Sequence, residues 1–135
     1  MNEYEKLLAE FDNDITFKFR KDMPNDLPGL IIGNTVYLDP FIPFPEAITY
    51  LAEEIGHHKT LPDGVDITDQ SKLVNRKLER KGREWGYRKL VPKEKIINFI
   101  AKRDQVMAYD LAEEFDLPDA YVEEVVNMYK IKGEI

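Results

Sequence analysis

The sequence predicts an α+β fold: a small N-terminal three-stranded antiparallel sheet packed against a mainly helical body, with further helices at the C-terminus. Three observations predict it. Short strand-like runs come first, alternating at Ile15, Phe17 and Phe19 and continuous at Leu30-Ile31-Ile32 and Thr35-Val36-Tyr37-Leu38. Beyond them, apolar residues recur at the i, i+3, i+4, i+7 spacing of helices. At 135 residues and 15.8 kDa the chain is one ordinary domain with no linker or repeat. A chain of that size buries roughly two-thirds of its extended surface, enough for one core. Within the single domain, residues 1–45 form the first helix and the sheet, 46–92 a helix pair, and 93–135 a C-terminal helical region.

Tyr4, Leu7, Leu8 and Phe11 follow the helical rule and predict a short amphipathic first helix. Leu30-Ile31-Ile32, Gly33-Asn34 and Thr35-Val36-Tyr37-Leu38 predict a tight hairpin, because Gly and Asn tolerate the positive φ of such turns. Pro40, Pro43 and Pro45 delay the next helix, expected from about Pro45 to His58 with Ala47, Ile48, Leu51 and Ile55 on its apolar side. Pro62-Asp63-Gly64 marks a turn and Val65 to Thr68 a connector. Asp69 or Ser71 stands where it can cap a second long helix, which Val91-Pro92 ends near Leu90. The tail reads as two or three more helices.

Composition excludes several functions. There is no cysteine, so disulfides, thiolate zinc sites, iron–sulfur clusters and cysteine nucleophiles are ruled out. No apolar run is long enough for a membrane span, and the acidic start lacks a signal core, so a cytoplasmic protein is expected. The 19 Lys and Arg against 26 Asp and Glu give net −7, which argues against general nucleic-acid binding. The charge is uneven. Ser71 to Lys95 holds ten basic and three acidic residues, whereas Val106 to Ile135 holds two basic and eight acidic. The basic stretch is either a solvated helix face or a docking surface for an acidic partner.

The one dense cluster of ligand-type residues is Glu53-Glu54-Ile55-Gly56-His57-His58, which contains both histidines of the chain. Glu53 and His57 are four apart and share a helical face, the spacing by which one helix gives two donors to one ion. The H-E-x-x-H motif of zinc peptidases uses it, with the intervening Glu polarising a metal-bound water. Here Glu53 stands in place of the first histidine, and a carboxylate oxygen is also an acceptable zinc donor. A third ligand must come from elsewhere, and Glu79 is the candidate. It shares a stripe with Gly82 and Gly86, whose lack of side chains lets another helix approach. Glu84 lies on a different face, as an i, i+4 partner for Arg80 or Arg88. The blander alternative is that the two histidines merely sit in a last helical turn, where the dipole favours them. His58 is rotated about 100° from His57, so it holds the turn or touches a reaction intermediate rather than sharing the ion.

Four blocks occur in the order seen in the ImmA/IrrE metallopeptidases, and the chain resembles that family over Leu27 to Tyr129. They are Leu27-Pro28-Gly29-Leu30, Leu51-Ala52-Glu53-Glu54-Ile55-Gly56-His57-His58, Glu79-x-x-Gly82-x-x-Trp85-Gly86 and Leu90-Val91-Pro92. The tail Leu111 to Leu117 followed by Tyr121-Val122-Glu123 is similar as well. The likeness is greatest to the short versions carried by temperate phages and mobile elements beside a repressor gene. The resemblance implies a zincin-like core and a zinc-dependent cytoplasmic endopeptidase that cleaves or inactivates a helix-turn-helix repressor. Carried over by position, Glu54 is the general base, His57 and Glu79 are metal ligands, and Glu53 takes the first histidine's place. His58 remains a second catalytic candidate. So oxygen-rich a site also accepts manganese or a similar ion. Two rivals stand beside this reading. One is a binding module that keeps the fold without the chemistry and sequesters the repressor. The other is a DNA-binding helix-turn-helix in the tail, disfavoured because Asp119, Glu123 and Glu124 oppose phosphate in sign.

Overall fold

The computed structural model describes residues 2–62, 69 and 71–135. Helix α1 (Glu3–Phe11) opens on a reciprocal cap, in which the Glu5 amide donates to Asn2 Oδ1 at 2.7 Å and the Asn2 amide to Glu5 Oε1 at 3.2 Å. Strand β1 (Thr16–Phe19) follows, then a single 3₁₀ turn at Pro24–Asp26, and then strands β2 (Gly29–Ile32) and β3 (Thr35–Leu38). The hairpin between β2 and β3 turns at Gly33-Asn34 as expected, with the positive φ, +61°, falling on Gly33.

The sheet is mixed, which corrects the expectation of an antiparallel one. Its order is β1-β3-β2: β2 and β3 are antiparallel, but β1 runs parallel to β3, with Thr16 beside Thr35 and Phe19 beside Leu38. Residues 20–28 reverse the chain before β2, and the hairpin reverses it again, so β3 runs with β1. The first strand then joins the free edge of β3 rather than that of β2.

Helix α2 (Phe44–Thr60) starts directly after Pro43 and closes with the Leu61 amide on the His57 carbonyl at 2.9 Å. The turn expected at Asp63-Gly64 and the connector from Val65 to Thr68 lie outside the described residues. Helix α3 (Leu73–Leu90) begins after Lys72, so neither Asp69 nor Ser71 is its cap. Asp69 instead folds the approach, its Oδ1 accepting from the Ser71 amide and its carbonyl from Asn75 Nδ2. The tail holds three helices, α4 (Lys93–Ala101), α5 (Ala108–Phe115) and α6 (Asp119–Ile131). Asp116 in the left-handed region ends α5, and Pro118 precedes α6.

One core joins these pieces. Leu51 and Ile55 of α2 are fully buried among Ile15, Val36, Ile96, Val122 and Val125. Burying such a side chain is worth roughly 1.5–3 kcal/mol. The Tyr129 hydroxyl, buried in the same core, donates to the Val91 carbonyl at 2.8 Å, which ties α6 to the end of α3. Among the described residues, no helix is long and apolar enough to cross a membrane.

Candidate metal centre

The centre is built by a close crossing of α2 and α3. Gly56 faces Gly82, and Ala52 faces Gly86, so the two helices run antiparallel at backbone contact. A Cβ added at Gly56 would overlap the Gly82 carbonyl oxygen, and one added at Gly82 would run into the His57 ring. Gly56 therefore carries no side chain where the Gly82 backbone passes. The approach lays Glu79 against His57, with Glu79 Oε2 3.0 Å from His57 Nε2.

Glu53, His57 and Glu79 come together as the sequence predicts. One ligand atom from each lies within 4.8 Å of those of the other two, close enough to hold one metal ion. His57 is buried and the two carboxylates partly so. Although near Glu79, His57 Nε2 is buried with no aligned hydrogen bond among the described residues. An orphaned buried nitrogen beside two carboxylate oxygens is the donor set a divalent cation requires, and three protein ligands leave a fourth position open. Glu54 stands on the other side of the ring, its Oε2 3.7 Å from His57 Nδ1, too long for a hydrogen bond. Its chain runs along β2, where a Cβ at Gly29 would lie 3.4 Å from Glu54 Cγ. His58 is not brought to the cluster; it lies half-buried on α2.

One member of the site was missed in the sequence. Arg83 donates from Nε to Glu53 Oε1 at 3.2 Å and from its Nη2 to Glu79 Oε1 at 3.4 Å. Its spacing of four from Glu79 was the available signal. Glu84 pairs with Arg80 at 3.2 Å as expected, and with Lys132 at 3.4 Å, whereas Arg88 turns to Glu134. Beside the centre a cavity of about 350 Å3 is lined by Tyr50, Glu53, Arg83, Tyr87, Tyr121 and Glu124. Tyr87 is buried, and its hydroxyl donates to Glu124 Oε2 at 2.6 Å. Trp85 meets Phe11 edge to face. A larger hollow of about 830 Å3, between α1 and α4, lies away from this chemistry.

The electrostatics follow from crowding. Burial, together with the neighbouring Glu79, pushes the Glu53 carboxyl above its ordinary range. The His57 imidazole holds Glu79 below its ordinary range. For His57, burial disfavours the charge, but Glu54 and Glu79 outweigh it and raise the imidazole to about 10. Without a metal, the cluster therefore keeps a proton on His57 at neutral pH. Comparison with protein-family models, with curated proteins and with solved structures finds no match.

Proposed function

We propose that this chain is a metal-dependent endopeptidase of the ImmA/IrrE type with a zincin-like core, which inactivates a helix-turn-helix repressor in the cytoplasm by cutting it. The observation that carries this reading is the meeting of Glu53, His57 and Glu79 around an orphaned imidazole nitrogen. A bound zinc or manganese ion would supply a Lewis acid and a water of lowered pKa. Glu53, His57 and Glu79 would hold it. Glu54 takes a proton from the attacking water as the carbonyl carbon gains its oxygen, and returns that proton to the amine as the C–N bond breaks.

Elemental analysis of protein purified without chelator tests the first step. About one equivalent of zinc or manganese is expected, and none in a His57→Ala, Glu79→Ala double variant. Glu54→Gln should retain the metal and lose at least about 100-fold in cleavage of a repressor substrate. Normal cleavage by that variant would remove Glu54 from its role.

A second reading is favoured by one observation: Arg83 already places a cation on Glu53 and Glu79. In that reading the fold is a metal-free module that holds the repressor without cutting it. Wild-type protein that takes up neither zinc nor manganese, yet retains the repressor intact on a column, would establish it.

A further inference from the structure

We infer that Arg83 is a positioning residue of the metal centre, a clamp whose guanidinium fixes Glu53 and Glu79 in one geometry and leaves each a second oxygen for a divalent cation. This rests on the reading of Glu53, His57 and Glu79 as metal ligands.

Arg83 touches Oε1 of Glu53 at 3.2 Å and Oε1 of Glu79 at 3.4 Å. Glu79 turns its other oxygen, Oε2, to His57 Nε2 at 3.0 Å. The oxygen held by Arg83 and the oxygen beside the imidazole are therefore different atoms, and a cation beside His57 Nε2 does not need the one that Arg83 occupies. A cation plugging the site would instead stand against the imidazole, and Arg83 has no contact with His57 among its hydrogen bonds or ion pairs.

Glu53 and Glu79 lie on different helices with their ligand atoms within 4.8 Å, so in the ionised state that a metal requires they would repel one another. Each glutamate has three side-chain torsions with which to escape. A guanidinium presents Nε–H and Nη–H in a fixed planar fork, and one edge of it can hold two acceptors at a set separation. Arg83 reaches Glu79 within α3, four residues back, and Glu53 across the crossing on α2. It thus stitches the two ligand-bearing helices together where the ligands emerge.

Magnitudes decide whether clamp or repulsion wins. The Arg83 side chain is 47% exposed, so its repulsion of a metal ion is weakened by water and salt. Loss of an outer partner that orients a ligand costs typically 10–100-fold in metal affinity. The clamp should therefore raise affinity although it carries the same sign as the ion.

The test is zinc affinity by competition with a chromophoric chelator, on the full chain freed of metal. Wild type, Arg83→Gln and Arg83→Lys are compared, with thermal melts of each metal-free form. Arg83→Gln should bind zinc 10–100-fold more weakly with a metal-free melting temperature close to wild type. Arg83→Lys, which keeps the charge and loses the fork, should recover only part of the affinity. Zinc binding by Arg83→Gln as tight as wild type, or tighter, overturns the clamp and makes Arg83 a competitor of the ion. A parallel fall in affinity and metal-free melting temperature overturns it in favour of a merely structural bridge. If Arg83→Gln does not fold, wild-type affinity in Arg83→Lys alone overturns the need for the fork. Wild type that binds no zinc or manganese removes the metal reading itself, an outcome distinct from all of these.

Discussion

His57 is where proton and metal compete. Its imidazole is buried, which alone would favour the neutral ring, yet Glu54 and Glu79 flank it and hold its pKa at about 10. A raised pKa in the metal-free fold means that His57 contributes stability in full below its ordinary value of 6.5. That contribution declines above 6.5 and is gone once pH passes about 10. Glu79 acts at the other end: its depressed pKa contributes stability above its ordinary value of 4.5, lost as pH falls through the lowered one. Thermal melts of the metal-free protein should therefore drop as pH rises from 6.5 to about 10, and the drop should shrink in His57→Ala. A pH-independent melt over that range would show that His57 is neutral in the fold. A metal ion needs the neutral nitrogen, so loading zinc at pH 7 should release roughly one proton from His57, with a further fraction from Glu53, whose carboxyl burial raises to about 7. Calorimetry in two buffers of different ionisation enthalpy reads that number. No release would mean that the imidazole was not the group displaced.

At the scale of elements, the contact between α2 and α3 places the chemistry. A Cβ at Gly82 meets the His57 ring, whereas one at Gly86 meets Ala52 at 3.3 Å, a tight contact that a small shift relieves. Gly82→Ala should destabilise the protein by about 1–3 kcal/mol and weaken zinc uptake, while Gly86→Ala should affect uptake far less. Equal zinc affinity in the two variants would mean that the crossing does not set the position of His57. Much of this element was legible beforehand. The i, i+4 pair Glu53 and His57 and the stripe Glu79, Gly82, Gly86 are local periodicities, and both fall where the sequence placed them. Arg83 was not legible. Its contact with Glu53 spans thirty residues, and its i, i+4 relation to Glu79 looks no different from the solvent pair of Arg80 and Glu84. The parallel pairing of β1 was hidden for a similar reason. The Gly33-Asn34 turn specifies the hairpin, but no local residue says which edge of it Thr16 to Phe19 will join. The start of α3 also escaped, because Asp69 and Ser71 bond each other in the approach rather than the helix amides.

Across the whole molecule, the split of charge along the sequence is partly an internal pairing. Helix α3 meets the C-terminal region through Arg88 and Glu134 at 2.6 Å, in the sense of that split, through Lys132 and Glu84 at 3.4 Å, in the opposite sense, and through the Tyr87 hydroxyl on Glu124. Glu123 and Glu124 remain exposed on α6 all the same, so that helix keeps the acidic face that disfavours phosphate. Surface pairs of this kind contribute little, and what fastens α6 is the core, where Val122, Val125, Met128 and Tyr129 are buried with Leu51 and Ile55. A single core of this size should melt as one unit. Circular dichroism, which reports all the helices, and the fluorescence of Trp85, which packs on Phe11 near the other end of the chain, should then give coincident transitions. Met128→Ala empties a site only 2% exposed and should shift both probes together by about 2–5 kcal/mol, whereas Glu134→Gln should shift neither appreciably. If helix content in Met128→Ala fell before the Trp85 signal, α5 and α6 would be a separately melting unit. The core that positions α2 and α3, and with them Glu53, His57 and Glu79, would then have to stand without the C-terminal helices.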